Sequence, residues 1–288
     1  LDLDLQGVHV LITGASGGIG LETVKVFLEQ GAKVTAHFNT NSASLRPLDS
    51  KFSADQLFCA QAELTSEPSV ESLFASAQSH FGIPVQVLIV NHGIWPPQDA
   101  HIWEMALDQW KRTIDVNLTA SFLVVKYFLK TLAWREVRDD LKEKANVVFV
   151  GSSAGRFGEK GHVDYAASKS AMMHGLTLTI KNEIVKIASK GRVNCVAPGW
   201  VRTPLAEEAL SDPNVVYRAL ATTPLKKIGT TYDTAVQIAL LASTKVSGHV
   251  SGQIVNVAGG MEGWLPFVRF LPQVSRLTAG ISNRASIE

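Results

Sequence analysis

Seven short apolar runs rich in valine and isoleucine recur along the chain, at 8–13 (VHVLIT), 33–38 (KVTAHF), 56–60 (QLFCA), 86–90 (QVLIV), 146–151 (NVVFVG), 192–196 (RVNCV) and 253–257 (QIVNV). They read as strands. Between them lie amphipathic segments of helical period at about 18–30, 67–81, 103–133, 164–189, 203–220 and 231–243. Strands that stay apolar throughout, separated by helices, indicate a parallel sheet covered on both faces. Right-handed crossovers then give a single doubly wound α/β domain with a seven-stranded parallel sheet. Residues 1–263 form that domain, its loops included, and 264–288 read as a C-terminal extension. The segment 133–145 (AWREVRDDLKEKA) is a charged addition between a long helix and the fifth strand. No internal repeat, low-complexity tract or interdomain linker interrupts the pattern.

Composition narrows the function classes. A hydrophobic fraction of 46% with 18% charged residues describes a well-buried globule and argues against disorder. With 27 Lys+Arg against 26 Asp+Glu the net charge is +1, so no basic field for nucleic acid follows. Cys59 and Cys195 both fall in strand-like runs and read as buried reduced thiols, not a disulfide framework. No apolar run approaches the roughly 18 residues that span a bilayer. The opening Leu1-Asp2-Leu3-Asp4-Leu5 lacks the basic and apolar regions of a signal peptide, and it does not begin with methionine. The expectation is a soluble, cytoplasmic protein. The eight histidines show neither an H-x-x-x-H pair nor a Cys/His cluster, so no metal is expected.

Chemistry enters at the first strand, which runs into Thr13-Gly14-Ala15-Ser16-Gly17-Gly18-Ile19-Gly20 and then a helix. Glycines at 14, 18 and 20 allow a tight turn, close backbone approach to a pyrophosphate and tight helix–strand packing. The helix N-terminus supplies free N–H groups and a positive dipole end. The reading is a Rossmann-like nucleotide site with Gly14, Ser16, Gly18, Ile19 and Gly20 at the phosphates. An acidic residue past the second strand would bind the ribose of NAD. This chain has Asn39-Thr40-Asn41 there, with no carboxylate, and Arg46 within reach, which favours NADP(H). Gly17, by contrast, offers no basic side chain to a 2′-phosphate. Further on, Tyr165 and Lys169 are four residues apart, one above the other on a helix. A nearby cation favours an ionised phenol, and bringing a pKa near 10 to about 7 takes roughly 4 kcal/mol.

Together these residues resemble the short-chain dehydrogenase/reductase family, in its branch with T-G-x-x-x-G-x-G and Y-x-x-x-K, over about residues 6–262. The resemblance implies roles. Ser152, which begins S-x-x-G thirteen residues before the tyrosine and is preferred over its neighbour Ser153, would polarise a carbonyl oxygen. Tyr165 would deliver the proton, and Lys169 would depress the tyrosine and bind the ribose. Asn117 would hold a proton-relay water. Asn91 and Gly93 match the segment that borders the cofactor after the fourth strand, and Glu63-Leu64 the pair that flanks adenine. Pro198, Gly199, Val201 and Thr203 match the segment contacting the nicotinamide and diphosphate. His92 departs from the family pattern and reads as structural.

The implied activity is hydride transfer between a nicotinamide and a ketone or secondary alcohol. Trp95, Phe157, His162 and Trp200 fall on loops expected to line the substrate pocket and lean toward a hydrophobic or aromatic ketone. An NADPH-dependent carbonyl reductase leads. An NAD(P)-dependent alcohol or polyol dehydrogenase working oxidatively stays open, and a non-catalytic nucleotide-binding regulator is more remote. The resemblance also implies a homotetramer or homodimer, built through the helices at 103–133 and 164–189.

Overall fold

The computed structural model describes residues 2–261, and the expected extension at 264–288 lies outside the described residues. All seven strands form where the apolar runs stand: β1 (His9–Ile12), β2 (Lys33–Phe38), β3 (Leu57–Gln61), β4 (Val87–Val90), β5 (Asn146–Val150), β6 (Arg192–Pro198) and β7 (Ile254–Val257). They make one parallel sheet in the order β3-β2-β1-β4-β5-β6-β7. Successive side chains leave opposite faces of a strand, and each face has its own core. Val10, Ile12, Val87 and Ile89 pack with Val24, Phe27 and Ile238 on one side. Leu11, Leu88, Val90 and Phe149 pack with Phe74, Phe128 and Met173 on the other. Uninterrupted hydrophobicity is thus what burial on both faces requires.

The first face is covered by α1 (Gly18–Glu29) and α8 (Thr231–Ala242). The second is covered by α2 (Glu67–Phe81), α4 (Ala120–Leu132) and the helix that carries α5 (Val163–Ser170) and α6 (Thr177–Glu183). Local sequence fixes several ends. Gly82, at φ 69°, stops α2 in the left-handed region that only glycine enters cheaply. Thr230 and Asp233 exchange hydrogen bonds in a capping box that starts α8.

Three expected helices depart from simple continuity. The one expected over 103–133 begins only at α3 (Leu107–Ile114), and a π turn at Asp115–Thr119 joins it to α4. The one expected over 164–189 carries a second π turn at Ala171–Leu176, between α5 and α6. The one expected over 203–220 breaks at Asp212, because Pro213 has no N–H to continue the ladder; Asp212 caps the new start, α7 (Pro213–Ala221), by accepting from the Asn214 N–H at 2.8 Å. The charged 133–145 segment forms one helical turn at Asp139–Lys142. Cys59 is half-buried and Cys195 buried, and burial pushes their thiols up to about 11 and about 12.

The last turn of α8 is held by a buried cation. Arg192, on β6, donates to the carbonyl of Leu241 at 2.7 Å, of Ala242 at 3.0 Å and of Ser247 at 2.9 Å. Leu241 and Ala242 close α8 and Ser247 the short turn after it, and a positive charge suits such carbonyl ends; the Asn146 amide shares the first two and the Val250 N–H the third. Arg192→Met is expected to remove three charge-assisted bonds from these carbonyls and cost about 2 kcal/mol, lowering Tm by about 4–8 °C in a thermal melt. A melt within about 2 °C of the parent chain would show that the guanidinium is dispensable.

Candidate active site

β1 and β4 are neighbours in the sheet although they are far apart in sequence, and the chain leaves them in opposite directions. Between their carboxyl ends the structure has a cavity of about 1130 Å³. Thr13 and Asn91 tie the two strand ends together. The Thr13 hydroxyl donates to the Ile89 carbonyl at 3.1 Å and accepts from the Asn91 N–H at 2.9 Å. The Asn91 amide donates to the carbonyls of Thr13 and Gly14, both at 3.0 Å.

Gly14 turns the chain at φ 62°. A Cβ on Gly20 would come within 2.2 Å of the Gly14 carbonyl oxygen, so α1 starts hard against this turn because glycine stands there. The N–H groups of Gly18 and Ile19 find no acceptor among the described residues, which leaves free donors at the positive end of a twelve-residue helix. That suits the pyrophosphate of a dinucleotide.

His37, near the end of β2, holds the turn from behind. Its Nδ1 accepts from the Gly14 N–H at 3.1 Å, its Nε2 faces the Ala62 carbonyl at 3.0 Å, and its own carbonyl accepts from the Ala15 N–H at 2.7 Å. These partners require the neutral ring with its proton on Nε2, and burial lowers its pKa from the ordinary histidine value. Beyond it, Asn39, Thr40, Asn41, Glu63 and Leu64 line the far end of the cavity. The Asn39 amide donates to the Glu63 carboxylate at 3.1 Å, and the Thr65 N–H and hydroxyl donate to its other oxygen, which lowers the Glu63 pKa. Arg46, expected within reach, sits in the turn Arg46–Asp49 and does not line the cavity.

Apart from Arg46, every residue expected at the site lines this cavity except Asn117. Ser152 follows β5, and Tyr165 and Lys169 lie on α5. The Lys169 ammonium donates to the Val150 carbonyl at 2.8 Å and stands 5.8 Å from the centre of the Tyr165 ring. Trp95 and Trp200 meet edge to face at 6.4 Å, and Phe157, which is exposed, lines the same cavity. Asn117, expected to hold a relay water, is fully buried behind the wall. Its side chain accepts from the Ile94 N–H at 2.8 Å and donates to the Ile94 carbonyl at 3.0 Å and the Ser168 hydroxyl at 3.1 Å. It braces the loop after β4 against α5. His92, expected as structural, bonds Thr13 through Nδ1 at 2.8 Å, and burial lowers it to about 3.

The electrostatics differ from the simple picture of a lysine beside a phenol. Burial pushes Tyr165 up to about 12; a hydrogen bond with Ser152 opposes this, and the Glu159 charge adds to it. Burial lowers Lys169 to about 8. The chain's own groups therefore keep the tyrosine protonated at neutral pH.

Residues 8–214 match the family model described as short chain dehydrogenase. The chain belongs to that family. This short-chain dehydrogenase is 31% identical over 255 residues to a 3-oxoacyl-(acyl-carrier-protein) reductase of Synechocystis sp., covering 87% of this chain and 95% of the relative. It is 30% identical over 260 residues to the enzyme of that name from Vibrio cholerae, covering 90% and 99%. The crystal structure of a short-chain dehydrogenase/reductase titled glucose/ribitol dehydrogenase, from Brucella melitensis, superposes with a TM-score of 0.78 at 27% identity, over 92% of this chain and all of that one. The dehydrogenase is an NAD(P)-dependent oxidoreductase acting on CH–OH and C=O groups. No helix among its described residues is long and apolar enough to cross a membrane.

Sequence reasoning missed two positioning side chains. His37 is one; its only signal is a polar residue inside an apolar strand. Asp164 is the other. Fully buried beside Tyr165, it accepts from the Tyr165 N–H at 2.9 Å, the Thr113 hydroxyl at 2.7 Å and the Gln109 amide at 3.2 Å, fastening α5 to α3. His37→Leu is expected to weaken dinucleotide binding about tenfold or more by freeing the Gly14 N–H. His37→Asn, which can place an acceptor where Nδ1 stands, restores most of the affinity. Titration of dinucleotide fluorescence checks both, and equal losses in the two variants would show that the ring's bulk matters and its acceptor does not.

Proposed function

We propose that the dehydrogenase is a carbonyl reductase that prefers NADPH and reduces a hydrophobic or aromatic ketone to a secondary alcohol. One observation carries the reading: Ser152, Tyr165 and Lys169 share one cavity with the glycine turn and with the aromatic side chains of Trp95, Trp200 and Phe157. The names of the similar reductases also favour reduction of a keto group.

The dinucleotide, when bound, supplies the hydride. The chain's part is to manage the oxygen. A carbonyl oxygen that gains negative charge needs donors fixed in advance. Ser152 donates a hydrogen bond to it and Tyr165 delivers the proton. Lys169, with one of its three donors held by Val150, keeps two for the ribose and the tyrosine. A phenol pushed up to about 12 holds its proton at neutral pH, which suits an acid in reduction better than a base in oxidation. The preference for NADPH rests on the end of β2, where Asn39, Thr40 and Asn41 offer hydrogen bonds and no carboxylate. Glu63, the carboxylate of that region, is engaged by Asn39 and Thr65.

Tyr165→Phe is expected to keep dinucleotide affinity and to lose turnover by about 10²–10⁴. The check is a ketone panel, including a 3-oxoacyl thioester, run in parallel with NADPH and NADH. Near-parental turnover by the variant overturns the role of Tyr165, and equal or better rates with NADH overturn the cofactor preference. A second expectation concerns pH. Between about pH 6 and 7 the kcat/KM for ketone reduction stays level, because the acid form of Tyr165 persists and Lys169, lowered to about 8, remains an ammonium. The kcat/KM for oxidation of the matching alcohol rises by up to about tenfold per pH unit as the base form appears.

A further inference from the structure

We infer that Glu159 is a specificity-determining residue: its open carboxylate oxygen receives a hydrogen-bond donor, hydroxyl or ammonium, carried by the ketone on the side away from its carbonyl. The inference rests on the reductase reading above and names the substrate class within it.

Glu159 lies in the loop between Ser152 and Tyr165 and is partly buried in the cavity wall. One oxygen accepts from the Trp95 indole N–H at 3.3 Å. The other accepts no hydrogen bond among the described residues, and no lysine or arginine among them forms an ion pair with the group. Burial raises the Glu159 pKa, and the nearby His162 and the single Trp95 bond oppose this only in part, so the half-buried carboxylate is incompletely compensated. Such a group standing in a cavity points to a ligand that completes it.

The carboxylate is also held in place, which a merely tolerated surface acid would not be. Trp95 lies against His162 with ring centres 4.5 Å apart and planes tilted by 36°, and it meets Trp200 at 6.4 Å and 81°. His162 is almost fully buried and is fixed in turn by Asp99, whose carboxylate meets Nε2 at 3.0 Å. Asp99, His162, Trp95 and Glu159 thus form one continuous chain of contacts in the cavity lining. Its position relative to the chemistry follows from the cavity, whose lining holds Glu159 and Trp95 together with Ser152 and Tyr165. A planar group against Trp95 and Trp200 would bring a donor to the carboxylate while its carbonyl faces Ser152 and Tyr165. A site built to bond a substrate hydroxyl rejects the analogue that lacks it much more strongly than an apolar wall rejects a missing methyl.

The test uses meta- and para-substituted acetophenones that carry a hydroxyl, an aminomethyl or a methyl group, assayed with NADPH and NADH. The readout is the ratio of kcat/KM for the donor-bearing ketone to that for its methyl partner, taken within each variant so that any loss of folded protein cancels. The wild-type ratio is expected to be at least about tenfold for the hydroxyl or the aminomethyl arm. Glu159→Leu brings it below about twofold. Glu159→Gln keeps an acceptor for Trp95; it removes an aminomethyl preference and lowers a hydroxyl preference about threefold, as a charge-assisted bond becomes a neutral one. Turnover with wild-type ratios near one, or ratios that both variants leave in place, overturns this inference alone. Failure of every ketone to turn over with either nicotinamide overturns the reductase reading and this inference with it.

Discussion

The hydrogen bonds between Thr13 and Asn91 hold the rest of the site in register. They lie where the sheet changes direction, with β2 and β3 on one side and β5, β6 and β7 on the other. At such a point the loops diverge and leave a crevice at the carboxyl ends of the strands. A crevice between two strands that are only sheet neighbours would otherwise depend on the ladder below it. Here two side chains fasten its floor, so the glycine turn above β1 and the loop above β4 keep a fixed separation. His37 fixes the turn from the β2 side and Asn117 fixes the loop from the α5 side. The cofactor and substrate halves are braced by different elements that meet only at that floor.

Burial works on the reacting pair more strongly than their mutual approach does. Desolvation penalises the charged form of each, raising Tyr165 and lowering Lys169, so both drift toward neutrality. A separation of 5.8 Å from ammonium to ring centre does not reverse this. The site therefore presents an acid before it presents a base. Ionisation of the phenol calls for positive charge that the bound dinucleotide carries in its oxidised form, and the loss of that charge on reduction favours the acid again. Reaction direction and protonation state are thus linked through the same small volume.

Much of this was legible in the sequence because the constraints were local. Every strand was visible as a largely apolar run, and the polar residues within the runs, among them His9, Thr35, His37 and Asn194, are buried with hydrogen-bond partners. Gly14 and Gly20 announced a turn packed on a helix, and the spacing of Ser152, Tyr165 and Lys169 put three groups of complementary chemistry in one place. What was hidden depends on interactions between distant segments. The bonds of Asn117 to Ile94 and Ser168, of His37 to Gly14 and Ala62, and of Asp164 to Thr113 join residues that no local pattern pairs. The break at Pro213 was readable in principle. The apolar period of 203–220 outweighed a single proline in the reading, and in the folded chain the proline prevailed.

The two π turns have a consequence for how these helices are read. Each adds one residue to a turn, and one residue is about 100° of rotation about a helix axis. Asp115–Thr119 separates α3 from α4, and Ala171–Leu176 follows Lys169 by a single residue. The stretch that aims Tyr165 and Lys169 at the cavity is therefore out of phase with the stretch that seats Ile180 and Ile184 in the core. Each long helix carries two independent alignments, one for chemistry and one for packing, joined by a fixed angular step. Substitutions that repack the distal half can accumulate without turning the reacting face. Deleting one residue at the step would swing that face away from the cavity while the distal half stayed seated on the sheet.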